Sequence, residues 1–89
     1  MATNTYASRA LAAYQQGDLN TAERWANEAI RSAPRDPQSL LARGVVMHAR
    51  GQYPAAAEAF RGLTQLQARE PAHWMNLATS ERAAAGAAL

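Results

Sequence analysis

Apolar positions fall in five short stretches separated by glycine or proline, and within each stretch they recur at helical spacing. From about Thr5 to Gln16 no breaker intervenes, and Tyr6, Ala10 and Ala13 fall on one face. Gly17 then predicts a helix stop, because glycine tolerates the positive φ that ends many helices. Asn20 and Glu23 have capping-box spacing and predict the start of a second helix. That helix is expected to run to about Ala33 and to bury Ala22, Ala26, Ala29 and Ile30. Pro34 and Pro37 forbid its continuation. A third helix is expected from near Pro37 to Gly51, with Leu40, Gly44 and Met47 inward. Pro54 opens a fourth, with Ala56, Phe60 and Leu63 inward. Pro71 opens a fifth, with Trp74, Leu77 and Ala78 inward, and the pattern fades into an alanine-rich tail over 86–89. Five helices and no strand pattern predict an all-α fold.

The stretches repeat. A shift of 34 residues places Arg9 on Arg43, Gly17 on Gly51, Ala22 on Ala56, Arg35 on Arg69 and Pro37 on Pro71. Tyr6, Leu40 and Trp74 form one aligned series, Ala7, Leu41 and Met75 the next, and Ala10, Gly44 and Ala78 a small-residue series. Aligned punctuation is harder to obtain by chance than aligned alanines, so the glycine and proline pairs weigh most. The units are helical hairpins: about 3–36, about 37–70, and half a unit over 71–85.

On these residues the chain resembles the tetratricopeptide repeat family over nearly its whole length. The second unit shows Leu40-x-x-Arg43-Gly44 and then Ala56-x-x-x-Phe60-x-x-Leu63. The first shows Tyr6-x-x-Arg9-Ala10, then Ala22-x-x-x-Ala26-x-x-Ala29 and Pro34. The third begins Trp74-x-x-Leu77-Ala78 and has no second helix. Departures are Arg9 and Arg43 in place of leucine, Ala26 in place of phenylalanine, and Ala68 in place of a closing proline. The resemblance implies a right-handed α-α superhelix whose first helices line a concave groove. The residues it turns to that groove are Leu11, Tyr14, Leu41, Val45, His48, Met75, Thr79 and Arg82, together with Asn4, Ala7, Gln15, Gln38 and Ala49. It thereby implies binding of an extended or helical peptide or protein segment on a largely apolar surface with a polar edge. The family's carboxylate-gripping members use basic and amide side chains where Ala7, Leu11, Val45 and Ala83 stand here, so that use is not expected. The asparagine series of glycosyltransferase-linked arrays is met only by Asn76, aligned with Ser8 and Ala42.

Composition narrows the function. Of 89 residues 23 are alanine and one is phenylalanine, so apolar content is high in number and low in volume. With nine arginines and no lysine, this is the composition expected of a GC-rich bacterial gene. There is no cysteine, which excludes disulfides and thiolate metal sites. No apolar run approaches the ~18 residues of a membrane span. Met1–Thr5 lacks the basic and apolar start of a secretory leader, favouring the cytoplasm and leaving the periplasm open if a leader was removed. A net charge of +2, with seven acids scattered among the arginines, makes nucleic acid an unfavoured partner.

Catalytic chemistry is poorly supplied. His73 is read as a solvated residue at a helix start, and His48 as a hydrogen bonder at the groove edge, with no further ligand at metal-binding spacing. Gly17 and Gly51 are isolated helix stops, not phosphate-loop glycines. No catalytic residue, metal or cofactor is expected. Glu28 with Arg31 and Glu58 with Arg61 are spaced as i, i+3 ion pairs, and Arg9 and Arg43 are expected half-buried with paired heads. Thr79–Arg82 suits a polar outer side for a terminal helix. Two and a half units fall short of the usual three, so self-association, by the terminal helix among other routes, is an open expectation. So is a place as the repeat segment of a larger bacterial enzyme of glycosyltransferase or sulfotransferase type.

Overall fold

In the computed structural model, which describes residues 4–87, glycine and proline punctuation sets five α-helices: α1 (Thr5–Gln15), α2 (Leu19–Ser32), α3 (Pro37–Ala49), α4 (Tyr53–Leu66) and α5 (Pro71–Ala87). No strand occurs among the described residues. Met1–Thr3, read above for a leader, and Ala88–Leu89, read as tail, lie outside them.

The turns repeat at the same 34-residue spacing as the sequence. Gly17 and Gly51 adopt φ of +80° and +78°. In each hairpin the glycine N–H donates to the carbonyl three residues back, Tyr14 or His48, at 3.0 Å. The following N–H, of Asp18 or Gln52, reaches back five residues, to Ala13 at 3.0 Å or Met47 at 2.9 Å. This double closure satisfies carbonyls a helix end would otherwise leave bare. The turns between hairpins also match: Asp36 N–H donates to Ala33 O, and Glu70 N–H to Gln67 O. Pro37 and Pro71 each occupy the first helical position, where no N–H is needed.

Capping departs from expectation at α2. The helix starts at Leu19, and Asp18, not Asn20, is its cap, its carboxylate accepting from Thr21 N–H at 3.2 Å. Asn20 and Glu23 serve another purpose: both hold Arg50, at 3.0 and 2.6 Å, tying the first hairpin to the end of α3. Bonding to the Thr21 side chain and amide holds the Asp18 carboxyl below its ordinary value of 3.8. A carboxylate favoured by folding adds stability that is full above its unfolded pKa and fades as pH falls through its folded pKa. Fraying of α2 is therefore expected to grow below about pH 4. In Asp18→Asn, which keeps the cap but does not titrate, the Thr21 amide exchange rate should lose that component of its pH dependence.

The core is built mostly from methyl groups. Ten of the fifteen buried apolar residues described are alanines, and in the first hairpin all six are: Ala7, Ala10, Ala13, Ala22, Ala26 and Ala29. Small side chains let helix axes approach closely. Volume is concentrated in the second hairpin, in Val46, Met47, Phe60 and Leu63. Ile30 and Leu40, expected inward, are half-buried at its margin. Around this core α1 packs on α2 and α3, α2 on α3, α3 on α4, and α4 on α5.

Two N-caps are joined. Asn4 Oδ1 caps α1 by accepting from Ala7 N–H at 3.0 Å, while its amide donates to Asp36 Oδ2 and to buried Ser39 Oγ, at 3.0 and 2.7 Å. Ser39 Oγ in turn donates to Ala29 O. This network fixes the register of α1, α2 and α3 through groups that are all satisfied.

The last helix corrects the sequence reading most. It turns His73, Leu77 and Ser80 onto the protein, leaving Trp74 and Ala78 exposed. The reason is its neighbours. α3 is covered by α2 on one side and α4 on the other, whereas α5 rests chiefly on α4. One covering helix selects one face. His73 is accordingly buried, not solvated, with Nε2 and Gln67 Oε1 2.7 Å apart. Ser80, expected on a polar outer side, is fully buried. The helix also continues to Ala87, past position 85 where a tail was expected. Glu81 from α5 takes Arg61 at 2.9 Å, displacing the expected Glu58 pair, while Glu28 and Arg31 do meet, at 3.6 Å.

Candidate functional site

The α1–α3 contact and the lean of α5 toward α4 leave a cleft of about 200 Å³ where the three odd-numbered helices converge. Tyr14 of α1, Val45, His48 and Ala49 of α3, and Asn76, Thr79 and Ser80 of α5 line it, with Phe60 of α4 as its floor. Phe60 reaches the floor because Gly44 carries no side chain. A Cβ there would lie 2.5 Å from the ring.

Of the residues the sequence assigned to a groove, Tyr14, Val45, His48 and Thr79 share this cleft, as does Ala49. Leu11 and Leu41 are half-buried and pack against the core beside it. Met75 is 69% exposed and Arg82 exposed, and neither lines the cleft. Ala7 is buried in the core, and Asn4 is committed to the capping network. Gln15 and Gln38 do not line it either. Phe60, Asn76 and Ser80 are the lining residues that the groove assignment omits. The pairing of Gly44 with Phe60 was the available signal for the first. The other two follow from the rotation of α5, which nothing local to α5 encodes.

The cleft has no carboxylate or guanidinium in its lining. His48 is its polar centre. Its Nδ1 and Ser80 Oγ are 3.1 Å apart, and its ring meets Tyr53 edge-on at 5.0 Å between centroids. A hydroxyl beside an imidazole is the beginning of a nucleophile–base pair. Here the hydroxyl has no accessible surface, and no carboxylate bonds to the imidazole among the described residues. The pair therefore reads as a clasp between α3 and α5. Thr79 Oγ1 donates to Met75 O within its own helix, leaving its oxygen free to accept.

Two of the larger hollows are weaker candidates. One of about 480 Å³ is a furrow between side chains of α2 alone, from Thr21 to Arg31. A furrow on one helix offers no converging groups. The other, also about 480 Å³, opens beside Asn4, Tyr6, Arg9 and Asp36 and is wider to solvent than the cleft. The arginines are largely engaged: Arg9 lies 4.8 Å over the Trp25 ring, Arg43 donates to Asn27, and Arg31, Arg50 and Arg61 meet carboxylates. The pairing expected for Arg9 is thus with an aromatic face, itself stacked on Tyr6, and Arg9 is exposed, not half-buried. Among the described residues no three His, Asp or Glu side chains are placed to hold a metal ion, and no helix is long and apolar enough to cross a membrane.

No family model matches the chain, and neither a curated protein nor a solved structure matches it.

Proposed function

We propose that the chain is a short tetratricopeptide-type array of helical hairpins that binds a peptide segment of another protein and carries out no chemistry of its own. The cleft between α1, α3 and α5 carries this reading. It is free of carboxylates and guanidinium groups, apolar at its base, and edged by Tyr14, His48, Asn76 and Thr79. At about 200 Å³ it is below the ~300–1,000 Å³ usual for small-molecule sites, and it suits one inserted apolar side chain with flanking backbone hydrogen bonds. The repeated hairpin turns support the array reading, since equal turns give equal hairpins. Stacking of such hairpins in a right-handed superhelix is part of the proposal.

Ala49 provides the test. It is exposed and lines the cleft, so Ala49→Glu brings a charge to the rim without disturbing the core. Val45 is less suitable, because it also packs on the core. Peptides selected from a random library against the wild-type chain should bind Ala49→Glu at least about tenfold more weakly, with helical circular dichroism unchanged. A library that yields no binder, or binders indifferent to Ala49→Glu, would remove the cleft from consideration.

A further inference from the structure

The outer face of α5 points to a second contact, independent of the cleft. Trp74 and Met75 are 49% and 69% exposed, the two most exposed large apolar side chains described. Ala78 and Arg82 are exposed on the same side, opposite the Leu77 and Ser80 face that meets α4. One hairpin earlier the matching positions are covered: Leu40 and Leu41 are half-buried, and Gly44 is buried beneath Phe60. The face is therefore built for a covering helix.

We infer that a second copy of this chain covers it, through antiparallel packing of α5 on α5 about a two-fold axis at Ala78. The pattern of the face is self-complementary about that residue. Trp74 and Arg82 stand four residues to either side, so a two-fold axis at Ala78 brings each Trp74 toward the partner's Arg82. A guanidinium on an indole face is favourable. The chain already makes this pairing internally, where Arg9 lies 4.8 Å over Trp25. Arg82 has no ion-pair partner among the described residues, in contrast to Glu81 beside it, which holds Arg61. Charge and aromatic surface are thus each left available, in mirror positions, on one stripe. Ala78 at the centre lets the two helices approach closely. The Trp74 indole N–H donates to Ala68 O in the turn before α5, at 2.7 Å, which limits the freedom of the ring. An isologous contact of this kind closes at two copies.

The chain has no cysteine, so one introduced thiol reports the geometry cleanly. With oxidised glutathione accepting the two electrons, Ala78→Cys should form a disulfide dimer at least about tenfold faster than Ser32→Cys, an exposed control at the end of α2, because the axis brings two Cα atoms within about 7 Å. Sedimentation of the cysteine-free chain from about 10 µM to about 1 mM should show a monomer–dimer equilibrium, as one helix pair is a small interface. Ala78→Glu should leave a monomer with unchanged helicity, and Arg82→Glu should weaken the dimer about tenfold. A monomer throughout the range, species growing beyond two copies, a dimer indifferent to Ala78→Glu, or equal cross-linking of the two cysteine variants would each overturn the inference. None of these outcomes bears on peptide binding in the cleft, which Ala49→Glu tests separately.

Discussion

Replacing Phe60 by alanine is expected to cost about 3–5 kcal/mol, the range for deleting a buried aromatic ring. A chain of this length has roughly 4–13 kcal/mol of stability in all, at the usual value per residue. Phe60→Ala should therefore leave a substantial unfolded fraction at 25 °C, visible in the baseline of a urea titration followed by helical circular dichroism. The cost is high because nothing nearby can fill the space. Phe60 is the chain's one phenylalanine, 3% exposed, and it bridges the gap over Gly44 in a core otherwise rich in alanine. Alanines have no reach with which to close a cavity. By contrast Tyr14→Ala, at the exposed rim of the same cleft, should shift the urea midpoint little. Equal losses for the two would mean that Phe60 is not the floor of the cleft.

The second large effect concerns the partner of that ring, and its sign is the informative part. Glycine inside a helix is about 1 kcal/mol worse than alanine on propensity alone, so Gly→Ala usually stabilises. Gly62 in α4 should follow the rule, since a Cβ there would sit at ordinary contact, 3.5 Å from Leu40. Gly44 should break it. The added Cβ would fall 2.5 and 2.6 Å from two carbons of the Phe60 ring. Moving a packed ring costs about 1–3 kcal/mol, which offsets the propensity gain and more. Gly44→Ala should thus destabilise by up to about 2 kcal/mol. The smaller side chain of Phe60→Leu should be less harmful when combined with Gly44→Ala than when Gly44 is kept. A double-mutant cycle in urea should show a coupling of about 1 kcal/mol favouring the double variant. If Gly44→Ala stabilises as Gly62→Ala does, the close approach of α3 and α4 is not as described.

Much of the fold was legible before any coordinate. Gly17 and Gly51 could be read as stops because only positive φ closes both hairpin turns, and both adopt it. Pro37 and Pro71 could be read as starts because a first-turn proline loses no hydrogen bond. Asp18 was missed as a cap because Asn20 and Glu23 carry the more familiar spacing, and Arg50, thirty residues away, decides what those two side chains do. Part of the candidate site was legible for the same reason as the helices: Tyr14, Val45, His48 and Thr79 stand at matching turns of helices that come together. Met75 and Arg82 were carried into the groove by the same periodicity, although α5 is not placed as α3 is.

What the sequence settled alone is therefore local: that there are five helices, that glycine and proline punctuate them, and that the hairpin turns recur. Backbone conformation and short-range hydrogen bonds decide such features, and each depends on residues within a few positions. The rotation of α5, the burial of His73 and Ser80, the exchange of Glu58 for Glu81 beside Arg61, and the cleft itself were decided by tertiary structure. An alanine-rich helix with apolar residues on several sides has no inward face of its own. It acquires one only from the helix it packs against, and for α5 that is α4.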